Sequence, residues 1–218
     1  MKKVINLYSI LGVSFFALFL ILFGLLSFDK ANITGIGEVG LSKFNNIIKY
    51  KYNEGWQIFA DIFLYLGIAL AALLAIVGFV QLIKRKSLFK VDRYIVICGI
   101  FLILAIFLWI MFDKVIIVNY RPIYHTDVEP SFPSTHTFLV IFIYLSAHNI
   151  ACMLSDNKKI KYGTLVAAIL ISVLVSLSRV LSGMHYITDV LAGVFLGLSL
   201  YFLCFGLINN SSEENVDE

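Results

Sequence analysis

The sequence is poor in charge. Only 14% of its 218 residues are Asp, Glu, Lys or Arg, against about 25% in a soluble globular domain. That shortage excludes an ordinary soluble protein. Cysteine is scarce too, and Cys98, Cys152 and Cys204 all lie inside apolar runs. They read as small buried hydrophobes, so a disulfide framework is excluded. No internal repeat relates the two halves, as it commonly does in transporter folds. The formal net charge of +3 follows loop topology and does not point to nucleic acid.

What is present is hydrocarbon. The chain is 60% hydrophobic with 19 phenylalanines, and its mean hydropathy is +0.92. This is the composition of an integral membrane protein. The length suits one domain, residues 1–218, without a large soluble appendage. A spanning helix needs about 20 mostly apolar residues. Six stretches meet that need, at about 5–28, 57–83, 94–112, 135–154, 164–181 and 187–208. The expected fold is therefore an all-α membrane protein, a six-transmembrane-helix bundle. Met1-Lys2-Lys3 before the first stretch resembles the start of a signal peptide. The apolar run is longer than a signal core and no clean small-x-small cleavage site follows, so it is read as a retained span.

Loop charge orients the bundle. Lys2 and Lys3, then Lys84, Arg85, Lys86, Lys90 and Arg93, then Lys158, Lys159 and Lys161 fall on one side. The other side carries Lys30, Lys43, Lys49 and Lys51, diluted by Asp29, Glu38 and Glu54. Cytoplasmic loops carry the Lys/Arg excess. Both termini are thus expected in the cytoplasm, with Glu213, Glu214, Asp217 and Glu218 as a solvated tail. In the loop 29–56, Leu41, Phe44, Ile47 and Ile48 have helical spacing. This fits either an amphipathic segment on the bilayer or a packed loop. Trp56 and Trp109 read as interface anchors, and His148 as structural.

Against this background stand three polar clusters: Lys114-x6-Arg121-Pro122, Pro133-Ser134-Thr135-His136, and Ser178-Arg179-x5-His185-x3-Asp189. Each falls at the end of an apolar stretch, and the span order brings all three to one face, the extracytoplasmic one. Charged groups at such depth are costly and are functional candidates by default. Lys114, Arg121 and Arg179 suit the oxygens of a phosphate; arginine offers a planar fork, lysine a point charge. Any one alone would read as snorkelling. Pro133 fits a first helical turn, whose free amides form an anion site that the hydroxyl of Ser134 and the N–H of Thr135 extend. Ser134 is equally a plain helix N-cap. His185 and Asp189 are four apart and share one face if a helix starts before His185. The carboxylate then holds one ring nitrogen protonated and leaves the other as a nucleophile. Gly193 and Gly197 admit a neighbouring helix, expected to be the fifth span. Asp61, one turn into the second span, is either functional or paired with Lys114 or a loop lysine. His125, Asp127 and Glu129 are near the site as a gate or as a solvated loop.

In order and internal spacing, these motifs resemble those of the type 2 phosphatidic acid phosphatase superfamily. The usual second motif reads Pro-Ser-Gly-His, and here Thr135 stands in place of the glycine. The segment Ser131-Phe132-Pro133-Ser134-Thr135-His136-Thr137 looks like the bacterial branch acting on prenyl pyrophosphates. The resemblance implies a phosphohistidine on His185, with His136 as acid and base and Asp189 supporting the nucleophile. No cofactor or metal is implied. The residues agree, since the clusters lack the carboxylates of a magnesium or calcium site. A zinc site from His136, His185 and Asp189 would consume the lone pairs catalysis needs. The expected activity is hydrolysis of a membrane lipid phosphate or pyrophosphate in a bacterial plasma membrane, with undecaprenyl pyrophosphate as first choice. Phosphatidic acid, phosphatidylglycerophosphate, phosphoryl transfer to another lipid, and a non-catalytic transporter or binder of anionic lipids are the alternatives. Homo-oligomerisation is left open.

Overall fold

An apolar run in lipid must satisfy its backbone internally, and a helix does so within one segment. The computed structural model describes residues 7–33, 37–123 and 129–214. Among these, six helices are long and apolar enough to cross a membrane. They are α1 (Leu7–Phe28), α3 (Glu54–Arg85), α4 (Arg93–Lys114), α5 (Thr135–Leu154), α6 (Lys158–Leu181) and α7 (Ile187–Glu214). Several overrun the hydropathic estimates. α6 begins at Lys158 rather than near 164, because Asn157 caps it by accepting the Lys159 N–H (2.9 Å) and lysine is a good helix former. Lys2, Lys3, His125, Asp127, Asp217 and Glu218 lie outside the described residues.

The loop between α1 and α3 adds something the all-α expectation did not contain. Lys30–Ile33 (β1) and Gly37–Gly40 (β2) form an antiparallel hairpin, followed by a single helical turn, α2 (Ser42–Asn45). The helical spacing seen there continues for that one turn only. The segment is anchored by buried Val39 and Asn45, while Phe44 and Ile47 remain exposed, so it combines features of both sequence readings.

α5 is the central helix. Thr137 through Tyr144 are buried without a break, enclosed by α3, α6 and α7. α3 is peripheral, with only 6% of its most apolar window buried. The glycines of α7 correct one expectation. A Cβ at Gly193 would meet the Ser134 carbonyl at 2.8 Å, and one at Gly197 the Phe138 carbonyl at 2.9 Å. The helix they admit is α5, not the fifth span α6 that carries Arg179. Close approach of α7 to the start of α5 sets the third motif beside the second. His148 bonds Thr164 Oγ1 (2.8 Å) across α5 and α6, a structural contact.

Candidate active site

The starts of α3, α5 and α7 and the ends of α4 and α6 meet at one end of the bundle. There a cavity of ≈ 370 Å³ is lined by Arg121, Thr135, His136, Arg179 and His185, with Leu64, Ile68 and Trp109 on its apolar side. Residues from all three motifs therefore reach one space.

Arg179 ends α6 and is only 2% exposed, yet its Nε and Nη1 have no hydrogen-bond partner among the described residues. A buried guanidinium left this way is costly unless an anion completes it. Arg121 Nη2 pairs with Glu129 Oε2 (2.9 Å), while its Nε is unpartnered. Glu129 is thus placed on the arginine fork while its side chain stays 55% exposed. Lys114 is not brought into the cavity. Its side chain is 73% exposed and pairs with the adjacent Asp113 (2.7 Å), because the helix end turns it outward.

Ser134 takes the N-cap position of α5 without making a side-chain cap. It is fully buried. Its N–H donates to the Asp189 carbonyl (3.0 Å), and its Oγ accepts from Thr137 Oγ1 (3.0 Å). Thr135 and His136 follow on the first turn, whose N–H groups have no intrahelical acceptor.

The turn after α6 aims His185. Gly183 holds φ +72°, a left-handed C-terminal stop that glycine accepts without strain. A Cβ there would also strike the Lys51 carbonyl at 2.8 Å. α7 starts only at Ile187, so His185 precedes it and the expected shared helix face with Asp189 does not form. Instead, His185 Nδ1–H donates to the Ser131 carbonyl (2.8 Å), while Asp189 Oδ2 stands 3.9 Å away. A carbonyl oxygen only accepts, so Nδ1 holds the proton and Nε2 keeps its lone pair. Burial first, then the charges of Arg179, Arg121 and His136, push the His185 pKa well below the usual histidine value; the Ser131 bond opposes them only in part. Burial and these charges favour the neutral ring.

Asp189 has a different task from the expected one. Its Oδ2 accepts the Tyr186 N–H (3.1 Å), capping α7 from the third helical position. Its Oδ1 accepts from Asn119 Nδ2 (2.7 Å). Asn119 Oδ1 in turn accepts the Gly40 N–H (2.7 Å), and Asn45 bonds both the Gly40 carbonyl and Thr188. This buried network ties the hairpin to the third motif. Asn119 and Ser131 escaped the sequence reading. The available signal was an asparagine directly after the apolar Ile116–Val118 run and a serine two residues before Pro133. Asp61, read as either functional or paired with a lysine, meets His136: Nε2 lies 2.7 Å from Asp61 Oδ1. Among the described residues, no three His, Cys, Asp or Glu side chains gather as a group that could hold a metal ion.

The model of the PAP2 superfamily matches residues 112–213. Phosphatidylglycerophosphatase B of Bacillus subtilis (strain 168) is 40% identical over 94 residues, which cover 40% of this chain and 43% of that protein. A Bacillus subtilis crystal structure, described as the first transmembrane PAP2 type phosphatidylglycerolphosphate phosphatase, superposes with a TM-score of 0.54 at 27% identity. It covers 91% of this chain and 96% of its own.

Proposed function

From a chain whose residues 112–213 match the model of the PAP2 superfamily, we propose hydrolysis of a lipid phosphate through a phosphohistidine on His185. The observation that carries this reading is the pairing, in one cavity, of unpartnered Arg179 N–H groups with the free Nε2 of His185. Arg179, Arg121 and the first N–H groups of α5 hold the phosphate oxygens. Positioning and charge stabilisation supply most of the catalysis in phosphoryl transfer. His185 Nε2 attacks phosphorus in line, the P–N bond forms, and the P–O bond to the lipid breaks. His136 gives its proton to the departing oxygen. Water then attacks the phosphohistidine and loses its proton to His136, releasing inorganic phosphate and restoring His185.

The substrate we favour is phosphatidylglycerophosphate. Both relatives carry that activity in their names. In addition, two guanidinium groups match the two negative charges of a phosphomonoester, with Lys114 turned away. The second reading, undecaprenyl pyrophosphate, is favoured by the Ser131–Thr137 segment with Thr135 in place of glycine. The loop charges support an extracytoplasmic site and cytoplasmic termini, and the Bacillus subtilis relatives support a bacterial plasma membrane. Detergent-solubilised protein given each lipid tests the reading by inorganic phosphate release. Release from phosphatidylglycerophosphate with a transient alkali-stable phosphoenzyme is expected. No release from either lipid would refute the activity; release from the pyrophosphate alone would reverse the substrate order.

A further inference from the structure

Two histidines line the cavity, and they are held by opposite ring nitrogens and by partners of different charge. His185 is held at Nδ1 by the neutral carbonyl of Ser131 (2.8 Å). His136 is held at Nε2 by the carboxylate of Asp61 (2.7 Å), which reaches across from the second turn of α3. We infer that Asp61 is a positioning residue that gives His136 its acid–base role. The inference rests on the phosphatase reading above.

The argument starts from cost. α3 is a peripheral, mostly lipid-facing helix, and a carboxylate on such a helix is retained only with a partner and a task. Asp61 follows buried Ala60 and sits between Phe59 and Phe63 in sequence, whose rings pack together (4.9 Å). A lysine is not its partner, since Lys114 pairs with Asp113. An ionised carboxylate only accepts, so Nε2 of His136 carries a hydrogen and Nδ1 becomes the nitrogen that exchanges protons with the reaction. The two supports then divide the labour. A neutral carbonyl fixes the tautomer and favours a charged ring less than a carboxylate does, which leaves His185 a nucleophile. A carboxylate also stabilises an imidazolium, the form that must donate to the leaving oxygen. As the P–O bond breaks, the proton moves from His136 Nδ1 to the lipid oxygen. In the second step a proton of the attacking water moves to Nδ1. The Nε2 hydrogen stays on His136, donated to Asp61, throughout.

The test compares leaving groups. Phosphatidic acid in detergent has an alkoxide leaving group that needs a proton, whereas p-nitrophenyl phosphate does not. Phosphoenzyme formation is followed by rapid alkaline quench for wild type, Asp61→Asn, Asp61→Glu, His136→Ala and the Asp61→Asn/His136→Ala double variant. Asp61→Asn should slow phosphorylation by phosphatidic acid about 10²-fold, at the low end for loss of acid–base catalysis. It should slow phosphorylation by p-nitrophenyl phosphate less than about 10-fold on the same reasoning. Asp61→Glu should retain more activity than Asp61→Asn, and the double variant should be no slower than His136→Ala alone. For Asp61→Asn, phosphorylation by p-nitrophenyl phosphate within about 10-fold of wild type shows that the variant is folded. Equal losses with both substrates, additive losses in the double variant, or an unaffected Asp61→Asn would each overturn the role. Wild type inactive on both substrates and also on phosphatidylglycerophosphate and undecaprenyl pyrophosphate would overturn the phosphatase reading and this inference with it.

Discussion

Arg179→Met should raise stability while abolishing activity. Arg179 is 2% exposed, and two of its three guanidinium nitrogens have no acceptor among the described residues. A buried polar group without a partner costs about 1–3 kcal/mol. Methionine has a similar length, fills the space flexibly and carries no donor. Removing two orphaned donors at the low end of that range gives a gain of about 2 kcal/mol. For a chain of this size, each kcal/mol shifts the midpoint by about 2–4 °C, so Tm should rise by roughly 4–8 °C. The anion reverses the ranking. Wild type should be stabilised by millimolar phosphate or vanadate, as any ligand bound only by the folded state stabilises it; Arg179→Met should not. Lipid phosphate hydrolysis should fall by about 10² or more, the equivalent of one or two charge-assisted hydrogen bonds at about 1.5–3 kcal/mol each. The assay is thermal unfolding in detergent with and without the anion, alongside phosphate release. A lower midpoint for Arg179→Met without ligand would refute the reasoning, because it would mean that the guanidinium is already satisfied within the protein.

The other expectations are separable by assay. His185→Ala should abolish turnover and leave no phosphoenzyme, whereas His136→Ala should slow lipid hydrolysis about 10²–10⁴-fold and accumulate phosphoenzyme from p-nitrophenyl phosphate; a stable phosphoenzyme in His185→Ala would reverse the assignment. Asn119→Ala removes bonds to both Asp189 and the Gly40 N–H, and should cost about 2–5 kcal/mol of stability. Because Asn119 is behind the cavity, KM should change little while kcat falls; a raised KM with unchanged kcat would contradict this. Phosphate release should survive EDTA, since the motif residues offer no carboxylate cluster; loss restored by one divalent ion would count against the mechanism. A cysteine introduced at Ser87 should be labelled only from the cytoplasm, and labelling from outside intact cells would invert the orientation.

Hydropathy and motif spacing made the six helices and the shared end of the three clusters legible. Arg121, Thr135, His136, Arg179 and His185 do converge on one cavity. The extensions of α3 and α6 were harder to read, because lysine and arginine end a hydrophobic run without ending a helix. Lys114 was legible as a charge but not in its direction, since one turn at a helix end decides whether it faces the cavity or Asp113. The hairpin at Lys30–Gly40 is short, polar and marginal alone, and the network through Asn119 helps fix it to the bundle.

The span pattern and the likeness of the motifs are properties of the chain taken in order, and the sequence determined them by itself. Local chemistry suffices there, because a run of apolar side chains in lipid has no alternative to a helix. Only the tertiary structure decided which side chain supports which. Asp61 meets His136 across 75 positions and Asn119 meets Asp189 across 70, while the neighbour four residues from His185 yields its place to the Ser131 carbonyl 54 positions away. Such pairings depend on how neighbouring helices rotate and slide against one another. Those quantities are set by close contacts such as Gly193 on the start of α5, and no periodicity within a single segment encodes them.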